Sequence, residues 1–354
     1  MFRQLIAVAL TSLATCASIA NAAPEVYEFT FDSEAYPIDQ IYPSMMGPKG
    51  RKLVQLMDEG LAAELIWIVG YRTDIVGGDG DAVLSAEFMC HNNLNLAELD
   101  RHASLFNWPQ ANPRLFTLSQ GQMEVRFPKG FGIPIHSHEK LAANTQVLNL
   151  NPQPKAFDVR HRTTLLFVRD AELETPMRAL YQTAAQGLVS LGQAPTHFNV
   201  DEPDSDKHGP GCSVGQIAGD RVIKDRFDRE FTGHWIVKPG REVNRTLISG
   251  YLRLPQDTRA HYIAVHLHPF AESLELRDLT TGESVFKSKA QGPQDKIGLA
   301  RVEHFESEEG LPIHKDHIYE LVSTYNNTSG KDQDAMAVMF LYLHDSQFVK
   351  PVFE

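Results

Sequence analysis

Cysteine is nearly absent from this 354-residue chain, which has only three. Cys16 lies in the N-terminal leader-like stretch, leaving Cys90 and Cys212, so a packed core rather than a disulfide framework must hold the fold. Those two thiols either form one pair or stand singly in separate domains, and spacing alone does not choose. Positive charge is scarce as well. Lys plus Arg number 33 against 45 Asp plus Glu, a formal net charge of −12, and so acidic a surface repels phosphate backbones, which argues against a nucleic-acid partner. After the N-terminus no apolar run reaches the roughly 18 residues a membrane span needs. The sequence has no phosphate-cradling G-x-x-x-x-G-K-[ST], no H-E-x-x-H and no assertable Ser-His-Asp pattern, so kinase and hydrolase readings lose their usual handles. Gly (24) and Pro (20) are near average usage, which excludes collagen-like and low-complexity chains.

What the chain does have is histidine, 15 in all. Residues 1–22 place Arg3 before an apolar stretch and end in Ala20-Asn21-Ala22, the layout of a secretory signal peptide. A secreted or periplasmic protein is expected. The remaining length suits about two domains. Short runs rich in branched and aromatic residues recur at 65–69, 163–168, 246–252, 262–268, 318–322 and 338–343, bounded by turn signals such as Gly77-Gly78-Asp79-Gly80 and Pro239-Gly240. Such spacing predicts an all-β protein of two tandem antiparallel β-sandwich (jelly-roll-like) domains with minor helical segments. Helices are expected at 49–63 and 174–191. The acidic, Gly/Pro-rich segment 199–219 reads as a linker between domains at 23–198 and 220–354.

Two His-x-His pairs stand out, His266/His268 within an apolar run and His136/His138 after the turn at Pro128-Lys129-Gly130. On a strand, residues i and i+2 face the same side, so two imidazoles project together about 6–7 Å apart at Cα and can chelate a borderline ion such as copper or zinc. His91 follows Cys90, and Met336 adds a thioether, which prefers Cu(I). His234 and His208 stay open, whereas His102, His161, His197, His304, His314, His317 and His344 read as surface or supporting residues.

The segment from His234 to Leu343, with VHLH at 265–268, VEHF at 302–305 and YNNTSG…DAM at 325–336, resembles the C-terminal catalytic domain of copper type II, ascorbate-dependent monooxygenases, the family of peptidylglycine α-hydroxylating and dopamine β-monooxygenases. That resemblance implies copper held by His266, His268 and Met336 as catalytic residues. It implies hydroxylation of a C–H bond with O2 and with ascorbate or another one-electron reductant. A second, electron-supplying copper would fall to His91, with His136 and His138 replacing histidines that this chain lacks. Ala264 stands where peptide-hydroxylating members carry a carboxylate-gripping arginine, and Val338 and Phe340 replace polar positions, so the expected substrate is a small, non-peptide molecule. The alternative is a copper-binding protein without turnover, or a sandwich whose His-x-His pairs bind zinc or serve structure.

Overall fold

Alternating and continuous apolar runs both become strands here. The Tyr27–Asp32 strand (YEFTFD) alternates between exposed and more buried positions, whereas Ala337–His344 (AVMFLYLH) is buried on both faces. The protein is all-β, 53% strand and 5% helical. The structure is a computed structural model describing residues 24–57, 60–108, 112–193, 196–201, 215–218, 222–252 and 254–353. The leader at 1–22, His208, Cys212 and most of the expected linker at 199–219 lie outside the described residues.

One long sheet forms the spine. Edge to edge it runs through Tyr27–Asp32, Phe157–Arg169, Leu65–Gly77, Phe131–His136, Arg178–Gln186, Ala337–His344, Thr258–Leu267 and Phe305–Ile313. A four-stranded sheet (Lys49–Val54, Leu141–Val147, Met89–Leu96, Arg114–Ser119) covers its N-terminal part, with the Tyr71 and Phe116 rings stacked 5.2 Å apart. A five-stranded sheet (Gly240–Leu247, Tyr319–Asn327, Ala271–Asp278, Glu283–Gln291, Arg301–Val302) belongs to the C-terminal part and adds Leu274, Leu276 and Leu321 to the same buried cluster as Val265 and Leu341. The seam between the parts is itself hydrogen-bonded. Arg178–Gln186 lies parallel to Phe131–His136 and antiparallel to Ala337–His344.

The two expected long helices are strands. Lys49–Val54 pairs with Leu141–Val147 from Lys49↔Gln146 to Val54↔Leu141, and Arg178–Gln186 sits inside the long sheet. The pattern behind the second expectation is Met177, Leu180, Ala184 and Leu188, of which only the last three, spaced by four, would also share one face of a strand. Flanking strands settle the matter, because tertiary pairing overrides local propensity. The expected strand at 246–252 ends at Leu247, and Ser249–Leu252 turns helical. The longest described helix, Leu99–Phe106, was not expected. It buries His102 and Phe106, four apart, and closes on Asn107 in the left-handed region (φ 49°).

Candidate metal centre

His266 and His268 come from the Thr258–Leu267 strand and the residue just beyond it. Alternation puts Tyr262, Ala264, His266 and His268 on one face. That face looks toward the N-terminal half: the Tyr262 ring meets Phe127 at 6.0 Å, and Gln122 Nε2 donates to the Tyr262 hydroxyl at 3.3 Å. The neighbouring strand pairs Leu267↔Ala337 and His266↔Val338, so Met336 falls opposite His268. Met336 is also where the chain leaves one pairing for another. Just before it, Gln333–Ala335 pairs with Trp235–Val237, with Ala335↔Trp235 and Asp334↔Ile236 in register. This ribbon carries Asp334 and His234 to His268. The Tyr325 hydroxyl donates to the Met336 carbonyl at 2.6 Å and accepts from the His268 N–H at 3.4 Å, which ties the two segments together.

One ligand atom each from His234, His268 and Asp334 lies within 4.8 Å of the others. Asp334 Oδ2 is 3.2 Å from His234 Nε2 and 2.7 Å from His268 Nδ1. The second contact is close, yet the ring N–H is not aimed at the oxygen as a hydrogen bond requires. The His266 and His268 rings are 5.3 Å apart and nearly perpendicular, as are His234 and His268 at 5.1 Å. All three histidines are buried, and His266 Nδ1 and His268 Nε2 have no hydrogen-bond partner among the described residues. Orphaned buried nitrogens of this kind call for an ion or a water. Burial, followed by the charges of His268, His91 and His234, holds His266 well below its ordinary value, so it is a neutral imidazole. For Asp334 burial works upward, but contacts with His234 and His268 outweigh it, with help from the Ser44 hydroxyl, and keep the carboxylate ionised far below the usual range.

The N-terminal half closes over this cluster. Ser44 reaches Asp334, and the Met45 backbone reaches the Cys90 sulfur. Burial pushes the Cys90 thiol up to about 12, offset by the Met45 contact and reinforced by the Asp334 charge, so it stays a thiol.

The other expected ligands stand apart. His91 has both ring nitrogens engaged, Asn93 Nδ2 donating to Nδ1 at 2.9 Å and Nε2 donating to Gln146 Oε1 at 3.0 Å. Burial, then the Arg114 charge, lowers it to about 4. His136 Nδ1 accepts from the His138 N–H at 3.0 Å, which places the proton of a neutral ring on Nε2. His138 lies near the strand end where Leu141 faces Leu96, whereas Gln146 faces His91. Five residues of strand, roughly 17 Å, therefore separate His91 from the His136/His138 pair, and the three do not assemble. His102, His161 and His197, expected at the surface or in support, are buried; His102 is held by Glu139 at 2.9 Å. His234, left open by the sequence, and Asp334 lie outside the ligand set expected from it. Asp334 was in view within the DAM motif, but only the ribbon register makes His234 its neighbour.

No family model and no curated protein matches the sequence. Among solved structures, PNGase F, a glycosylasparaginase from Flavobacterium meningosepticum, is similar over 93% of this chain and 99% of its own at 6% identity and a TM-score of 0.36. A peptide-N(4)-(N-acetyl-beta-D-glucosaminyl) asparagine amidase is similar over 92% and 99%, at 6% identity and a TM-score of 0.33. The STIV MCP follows over 92% and 97%, at 10% identity and a TM-score of 0.31. None of these three is a copper monooxygenase, and likenesses this faint say nothing of activity. No helix among the described residues is long and apolar enough to cross a membrane.

Proposed function

We propose that this chain is a secreted transition-metal protein whose ion is held by His234, His268 and Asp334, with His266 beside it. The observation that carries the reading is the 2.7 Å approach of His268 Nδ1 to Asp334 Oδ2 without hydrogen-bond alignment, next to His234 at 3.2 Å. Two such atoms aim their lone pairs at a common point when an ion lies between them. Two imidazoles and a carboxylate form a borderline-to-hard set, suited to Cu2+, Zn2+ or Fe2+ rather than to Cu(I). The Asp334 carboxylate, ionised and only partly open to solvent, also favours a cation beside it.

Copper-dependent hydroxylation with O2 and ascorbate or a similar reductant is the second reading, favoured by the register that sets Met336 opposite His268. A His266/His268/Met336 set would suit Cu(I), and copper would supply the one-electron chemistry there. The chain's part would be to fix the Met336 backbone through Tyr325 and to wall the site with Ala264, Val338 and Phe340, apolar surroundings suited to a small, non-peptide substrate.

Metal analysis of the purified chain separates the two. Under the first reading Asp334→Ala lowers Zn2+ and Cu2+ affinity at least tenfold, while Met336→Ile leaves both unchanged. Under the second, Met336→Ile weakens Cu(I) and abolishes ascorbate-dependent O2 uptake. Full metal binding by Asp334→Ala would sink the first reading.

A further inference from the structure

A different histidine pair lies in the turn between the Phe305–Ile313 and Tyr319–Asn327 strands. His317 N–H donates to the His314 carbonyl at 3.3 Å, so the two residues are the first and last of a tight turn, and their rings lie 4.6 Å apart at 40°. Each Nδ1 has its own carboxylate from another segment, Asp257 just before the Thr258–Leu267 strand and Asp278 at the end of the Ala271–Asp278 strand. His314 Nδ1 is 3.3 Å from Asp257 Oδ2, and His317 Nδ1 is 2.6 Å from Asp278 Oδ2.

Those carboxylates are themselves anchored. Asp257 Oδ1 accepts the Lys315 N–H at 3.0 Å, and Asp278 Oδ1 accepts the N–H groups of Thr280 at 2.9 Å and Thr281 at 3.3 Å. A neutral imidazole that donates Nδ1–H to a carboxylate is fixed in the tautomer whose Nε2 is a bare lone pair. Histidines that ligate metals are prepared in this way. Both rings remain open to solvent, with side chains 43% and 25% exposed.

We infer that His314 and His317 form a second, surface-accessible site for a borderline divalent transition ion, with their Nε2 atoms as ligands and Asp257 and Asp278 as orienting partners. Water fills the remaining coordination positions, so the site binds more weakly than a buried three-residue set and exchanges its ion freely. It is independent of the His234/His268/Asp334 reading.

The test is equilibrium dialysis of the full chain against Zn2+ alone, counting bound ions in the wild type, in His314→Ala/His317→Ala and in His234→Ala/Asp334→Ala. Two ions in the wild type and one in each double variant is the expected pattern. One ion in the wild type that only the His314/His317 change removes supports this site and sinks the buried one. Equal zinc in the His314→Ala/His317→Ala variant and the wild type overturns the inference. Asp278→Asn, which keeps both histidines, is expected to weaken the site about tenfold, and unchanged affinity there removes Asp278 from its orienting role. A Cu2+ electron paramagnetic resonance spectrum of the His234→Ala/Asp334→Ala variant should carry nitrogen couplings that disappear once His314 and His317 are also replaced.

Discussion

At the scale of single residues, the pattern legible in the sequence was the pair. His266 and His268, two apart in an apolar run, are expected to project together, and their rings lie 5.3 Å apart. The partnership of His234 with Asp334, a hundred residues apart, was not legible, because it depends on the register Trp235↔Ala335 and on nothing local. The core holds a second residue-scale feature that no local pattern gives. Tyr342 is fully buried among the rings of Phe116, Phe127 and Tyr262, and its hydroxyl has no hydrogen-bond partner among the described residues. A stranded buried hydroxyl costs about 1–3 kcal/mol. Tyr342→Phe is therefore expected to raise stability by about 1 kcal/mol, read from the urea midpoint at unchanged slope. A clear fall in the midpoint would mean that the hydroxyl is satisfied.

At the scale of elements, strands with branched residues and flanking turns were legible, since burial on one or both faces leaves a period-two or continuous apolar record. Strand 178–186 reads as helix from the spacing of 177, 180, 184 and 188, which strand pairing overrides, and helix 99–106 leaves little apolar record because its buried residues are only a histidine and a phenylalanine. The irregularities that aim the strands are less visible still. Thr258–Leu267 shifts register against Phe305–Ile313 between Ala260 and Tyr262, and Gly310 sits there at φ 72°. A Cβ on Gly310 would lie 2.8 Å from His261 Cε1 and 3.0 Å from the Ala260 carbonyl oxygen. Gly310→Ala combines left-handed strain with that clash and is expected to cost about 1–2 kcal/mol, seen as a lowered Tm. Because the same strand carries His266, metal affinity in this variant also reports how far the bulge sets the histidine face.

At the scale of the whole molecule, buried neutral histidines set the acid response. Burial, then the His91 charge, holds His161 down to about 3, and burial holds His261 down to about 4 against the raising contact with the Ser307 carbonyl. Unfolded, both titrate near 6.5. The folded values are depressed, so above pH 6.5 both states are neutral and nothing is lost. As pH falls from about 6.5 toward 4, the unfolded chain takes up two protons that the folded one refuses. Stability then falls by up to about 3 kcal/mol per pH unit from these two groups. Urea unfolding between pH 7 and 4.5 checks this, and His161→Phe should flatten the slope by about one proton. A slope unchanged by that substitution would count against the assignment.

Composition and pattern alone determined that this is an acidic, strand-built chain whose histidines cluster in pairs, because charge balance and side-chain alternation are written residue by residue. Which histidine meets which carboxylate, and that Arg178–Gln186 joins the two halves through one hydrogen-bonded sheet, was decided only by the tertiary structure. Strand register is fixed by the joint burial of many faces at once, and a shift of one residue would turn every one of these side chains to the opposite side.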